Sequence, residues 1–181
     1  RIRGAMNGRS SQAPSIEDFH AELAYLALGW RSDRHLPAIA MIGLEAGLES
    51  PALAALAGEG DGAAVFELRA LFKRALRQLN LSLPAREEAE DALVLWWLRR
   101  LVAGQCGVTQ ALRNLVDLER GSERKNSEFV GDALGIERFV GIYWEIADGN
   151  EAGYLTVADR QTLEMEARDL ASAFVDRLGP R

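Results

Sequence analysis

Cysteine occurs once in this chain of 181 residues, at Cys106, so no internal disulfide can form and nothing in the sequence requires an oxidising compartment. A cytoplasmic location is the resulting expectation. Histidine occurs twice, at His20 and His35, which leaves little material for a histidine-rich metal centre. Lysine also occurs twice, at Lys73 and Lys125, against 19 arginines; a GC-rich, bacterial coding genome explains that ratio more simply than selected guanidinium contacts do.

Other absences narrow the function classes. No apolar run approaches the ~18 residues of a membrane span, so no membrane insertion is expected. No stretch alternates long enough for a strand, although Gly149 to Thr156 has room for a brief extended piece. Gly58-Glu59-Gly60-Asp61-Gly62 is glycine-rich, but its two acids repel phosphate and no lysine follows where a phosphate loop needs one. The formal charge of -6 favours solubility and opposes long-range attraction to nucleic acid or an anionic bilayer. Arg1 to Pro14 has no signal-like apolar run and reads as a flexible arm (1–14), the part ahead of Met6 resembling an expression scar.

What the sequence does contain is helix. The run Ala92-Leu93-Val94-Leu95-Trp96-Trp97-Leu98 covers every face of two helical turns, which predicts a helix from Ala85 to Ala103 buried nearly all round by other helices. Acids lead it and Arg99 and Arg100 end it, the order the helix dipole favours. Ser15 with Asp18, and Thr156 with Asp159, have capping-box spacing and predict helix starts. The first of these carries the stripe Ile16, Phe19, Leu23 and Leu26; the second runs from Val157 to Leu178 before Gly179-Pro180. Further helices are expected from Pro37 to Leu48, from Pro51 to the glycines at 58–62, from Ala63 to Leu79, from Thr109 to Leu118 and from Ile136 to Ala147. Asp148-Gly149-Asn150 should close the Ile136 helix, and Glu119 to Ser127 should be the longest polar loop. The fold class is therefore all-α: a compact single-domain bundle of seven or eight helices with a buried central helix, spanning residues 15–179.

Several groups of residues could carry chemistry. Glu17 and His20 stand at i,i+3, the spacing with which carboxylate bundles offer two metal ligands from one helix. His35 has Ser32, not glutamate, three residues before it, so a binuclear site of that pattern is absent; a single ion held by Glu17, His20, His35 and a distant carboxylate remains open. Cys106 could pair with a histidine as nucleophile and base, although its flanking Gly104 and Gly107 read more simply as a cramped junction. Arg69, Lys73 and Arg77 fall on one helix face with Arg74 beside them. They either salt-bridge to the acidic start of the central helix or face water, and nucleic-acid binding is not expected because no recognisable reading motif accompanies them.

The tryptophans give the leading functional expectation. Trp96 and Trp97 lie about 100° apart on their helix, so full burial of both needs partners on two sides. Trp144 falls outside the stripe Ile136, Phe139, Val140, Tyr143 and Ile146. Exposed rings beside charges mark protein interfaces, which nominates Trp97, Arg100, Trp144, Glu145 and Asp148 as partner-binding residues. The expected function is a non-catalytic protein-binding, inhibitory or adaptor module without cofactor, self-associating as a homodimer through one of its two long helices. The alternative is a metal- or small-ligand-binding helical-bundle enzyme using Glu17, His20, His35 and Cys106.

Overall fold

The computed structural model describes residues 13–60, 62–124 and 131–178. Most of the N-terminal arm, the last third of the expected polar loop and the Gly179-Pro180 stop lie outside the described residues. The described residues form eight α-helices, two 3₁₀ turns and no strand. The helices are α1 (Ile16–Ala27), α2 (Leu36–Glu45), α3 (Pro51–Ala57), α4 (Val65–Gln78), α5 (Arg86–Val102), α6 (Val108–Gly121), α7 (Glu137–Ala152) and α8 (Val157–Arg177). The 3₁₀ turns are Asp33–His35 and Asp132–Leu134.

Local chemistry sets the helix starts. Ser15 and Asp18 form the expected capping box, as do Thr156 and Asp159, so the first free N–H groups of α1 and α8 are satisfied by side chains. Ser50 caps α3 through the Leu53 N–H at 3.1 Å, with Pro51 in the first turn. The Asp148-Gly149-Asn150 stop expected in α7 is corrected: the helix continues to Ala152 and ends at Gly153 in the left-handed region, φ 72°. Gly149 is buried, and the Leu155 side chain lies 2.9 Å from where a β-carbon would sit. That glycine serves close packing inside the helix rather than termination. The expected polar loop is also shortened, because α6 stays helical to Gly121.

The core is divided by α1. Phe19 and Leu23 point one way, into a cluster with Leu36, Ile39, Leu53, Leu56, Leu68 and Phe72 from α2, α3 and α4. Ala21, Ala24, Tyr25 and Leu28, on the opposite side of α1, enter a larger cluster built by α5, α6, α7 and α8. Small residues on that side let α1 lie close along α5. The central helix α5 packs against α1, α6, α8 and the second 3₁₀ turn, and Leu93, Leu98 and Leu101 are fully buried.

Burial around α5 is less complete than its run of seven apolar residues predicts. Ala92 is exposed, and Leu95 and Trp96 are only half-buried. Helices cover α5 on three sides and leave the Ala92-Leu95-Trp96-Arg99 line open. Conversely, Glu90, a flanking acid in the sequence, is 1% exposed. Its carboxylate accepts from Arg124 Nε at 2.8 Å and Ser122 Oγ at 3.0 Å, and Arg86 lies at 3.6 Å. Arg124 also donates to the Glu87 carbonyl at 2.6 Å and to Asp91 at 2.7 Å, fastening the end of α6 to the start of α5.

Trp97 and Tyr25 make a second buried polar contact, with Trp97 Nε1 donating to Tyr25 Oη at 2.8 Å. Burial dominates at Tyr25 and pushes its phenol from 10.0 up to about 12, against the opposing effects of the Trp97 donor and Arg31. A folded-state value above the unfolded one favours the protonated form, so the contribution is complete below pH 10.0 and is lost as pH rises toward about 12. At about 1.4 kcal/mol per unit, roughly 2–3 kcal/mol of stability should disappear across that window. Urea midpoints measured from neutral pH to about pH 12 should fall more steeply for the native protein than for Tyr25→Phe. Parallel slopes would show that the phenol does not titrate late.

Candidate functional site

The open side of α5 forms a groove with α1. At one end His20, Leu23, Asn80, Leu81, Ser82, Pro84, Glu88 and Ala92 line a cleft of about 400 Å³. His20 and Ala92 continue into a middle section of about 150 Å³, with Glu17, Ala21, Leu95, Trp96 and Arg99. Glu17, Trp96 and Arg99 then pass into the far end, about 270 Å³, completed by Ser15, Asp18, Arg100, Ala103 and Gln105. Shared residues join the three sections into one depression along both helices. Its floor is apolar at helical spacing, and its far end is charged.

Asp18 organises that charged end. One carboxylate oxygen accepts from the Ser15 N–H at 2.8 Å and the Ser15 hydroxyl at 2.9 Å; the other accepts from Trp96 Nε1 at 3.0 Å and Arg100 at 3.1 Å. Burial disfavours the Asp18 charge, but the Ser15 bonds, the indole donor and Arg100 together hold its carboxyl below the ordinary value. The Arg100 guanidinium lies over the Trp96 ring, 4.8 Å from its centroid, and Arg99 pairs with Glu17 at 2.7 Å. Trp96 is therefore fixed by its edge, its face and its backbone helix while remaining half-open to solvent. A rigid, half-exposed indole beside arginine has the make-up of an interface anchor.

Each residue expected from sequence has a definite place. Arg100 lies in the groove as described. Trp97 is corrected from an exposed anchor to a core residue: it is 7% exposed, and its neighbour Trp96 takes the open position. The difference follows from helix phase, since the Trp97 side faces Tyr25 and the larger core while the Trp96 side faces the groove. Trp144 is 38% exposed on α7, edge-on to Tyr143 and 5.3 Å from the Arg120 guanidinium. Glu145 pairs with Arg138 at 2.5 Å, and Asp148 is exposed. These three sit on a helix that packs against α6 and α8, away from the groove residues on α1 and α5. Asp18 and Trp96 are the site residues that sequence reasoning missed. Asp18 was legible only as a cap, and nothing local marks a cap residue that also holds a tryptophan 78 positions away.

The residues of the enzymatic alternative divide likewise. Glu17 and His20 share the groove wall, one turn apart. His35 lies in the turn before α2, where the Ser32 N–H donates to its Nδ1 at 3.2 Å. Cys106 is half-buried in the α5–α6 turn against the larger core, and burial raises its thiol, an effect that Arg100 and Arg168 oppose. Among the described residues no three His, Cys, Asp or Glu side chains gather as metal ligands, and no helix is long and apolar enough to cross a membrane. No family model matches the chain, no curated protein does, and no solved structure does.

Proposed function

We propose that this chain is a non-catalytic protein-binding module, of the adaptor or inhibitor kind, that receives a segment of another cytoplasmic protein in the groove between α1 and α5. The supporting observation is the uncovered line of the central helix. Ala92, Leu95 and Trp96 keep part of their apolar surface in contact with water at spacings of three and four, the spacing with which an amphipathic helix engages a groove. The charged end at Arg99, Arg100, Glu17 and Asp18 gives the bound segment a direction and a register. A second copy of the chain is an occupant that the same surface admits, which would make the protein a homodimer.

The test uses purified protein with Leu95→Glu, which puts a charge on the groove floor at a half-exposed position. Native protein immobilised in extract of its source cells should retain a stoichiometric partner, and Leu95→Glu should lose it while keeping the native circular dichroism spectrum. Light scattering during size exclusion of both proteins separates a foreign partner from self-association. Equal retention by both proteins would remove the groove from the binding surface.

A further inference from the structure

Helix α4 carries a second surface of different character. Its inner side places Leu68, Phe72, Ala75 and Leu76 in the smaller core. Its outer side holds Phe66, Lys73 and Arg77 within about 40° of one another around the axis, with Arg69 and Arg74 flanking them. Phe66 is 71% exposed, the most exposed aromatic side chain among the described residues. Within the described residues Lys73 and Arg74 are exposed and make no ion pair, and the exposed Arg77 donates to the Lys73 carbonyl at 3.4 Å without an ion pair. Arg69 is the exception: it grips Asp33 with two nitrogens, at 2.9 and 2.5 Å. Of the two expected arrangements, pairing of this ridge with the acidic start of α5 is corrected, because α4 packs on α2, α3 and the first 3₁₀ turn and its one ion pair among the described residues goes to that turn; Lys73, Arg74 and Arg77 face water. Glu67 is the only acid on α4 and lies off the Phe66-Lys73-Arg77 line.

We infer that this outer face of α4 binds an acidic polypeptide segment carrying an apolar side chain at one end. Charge complementarity selects the sign, since three cations without an ion pair among the described residues stand together on a molecule of net charge -6. The stripe from Phe66 to Arg77 is about 16 Å long, which matches a short segment rather than an extended polymer. A long nucleic acid or a bilayer would meet the acidic remainder of the molecule as well as the stripe. Recognition of an anionic bilayer calls for a cluster of about four to eight basic residues, more than this face has free, and one phenylalanine adds little insertion. A short acidic segment touches the basic stripe alone, and Phe66 supplies the apolar contact that charge pairs at an exposed surface lack. This surface is separate from the groove and does not depend on it.

The experiment titrates the 181-residue protein into a labelled peptide of about four glutamates and aspartates ending in Phe-Leu, at low and at moderate salt. Saturable binding is expected, weaker at higher salt. It should weaken roughly tenfold in Lys73→Glu/Arg74→Glu/Arg77→Glu and by a similar factor in Phe66→Ala. Arg74→Ala alone, on the outermost part of the face, should weaken it severalfold and guards against misfolding of the triple variant. Leu95→Glu should leave this binding unchanged, so failure of the groove and failure of the α4 face are read separately. A thymidine oligonucleotide and vesicles of phosphatidylcholine with phosphatidylserine serve as the competing polyanions. Absence of saturable peptide binding, indifference to the charge reversals, or tighter binding of the oligonucleotide or the vesicles would overturn the inference.

Discussion

Replacing Arg124 with methionine is expected to destabilise the protein by about 3–5 kcal/mol, because it strips the nearest cation from a carboxylate that has almost no access to water. Glu90 is 1% exposed, and after the change it retains, among the described residues, the Ser122 hydroxyl and Arg86 at 3.6 Å. The Glu87 carbonyl and the Asp91 carboxylate lose their Arg124 donors at the same time. For a domain of this size the melting temperature should fall by roughly 10 °C. Adding Glu90→Met to Arg124→Met should recover much of the loss, since the larger penalty belongs to the buried, unpaired charge. Calorimetry of the native protein, the two single variants and the double variant measures the coupling directly. A cost below about 0.5 kcal/mol for Arg124→Met would mean that water reaches Glu90 and replaces the guanidinium.

Phe19→Ala should be comparably severe, at about 3–5 kcal/mol, through loss of transfer energy and the cavity left behind. Phe19 is fully buried and fills the notch at Gly43 of α2, where a β-carbon would lie 2.9 Å from two ring atoms. The converse change, Gly43→Val, pushes into the same ring and should cost about 1–3 kcal/mol. Both weaken the contact by which α2, α3 and α4 are held to α1, so both should raise amide exchange in α2 to α4 before α5 and α6 are affected. Uniform acceleration across all eight helices would show instead that the two cores unfold as one unit.

These residues also show which parts of the molecule were legible in the sequence. The capping boxes at Ser15 and Thr156 are local, since donor and acceptor lie three residues apart, and both form as expected. The all-α bundle follows from apolar periodicity for the same reason, and the central place of α5 from its unbroken apolar run. Periodicity finds one stripe per helix, however, and α1 has two: the visible Phe19-Leu23 side and a quieter Ala21-Ala24-Tyr25 side that packs the larger core. Small residues carry a weak hydrophobic signal although they permit the closest helix approach. The run in α5 misled in the opposite sense. An apolar residue reports that burial is favourable, not that a neighbouring helix is present to provide it, so Ala92, Leu95 and Trp96 remain open. Glu90 was unreadable because its partner Arg124 lies 34 positions away. The candidate site was legible only as a set of residue types; which of two adjacent tryptophans faces outward was decided by tertiary packing.

The open line on α5 and its occupation by a partner can be tested together in living source cells by a photo-crosslinking amino acid placed at Leu95, with the same amino acid at exposed Asp117 of α6 as control. Groove binding predicts one dominant crosslinked protein from position 95 and none from position 117. A crosslink of doubled mass containing only this chain identifies the partner as a second copy. No crosslink from position 95, or the same products from both positions, would contradict a binding groove between α1 and α5.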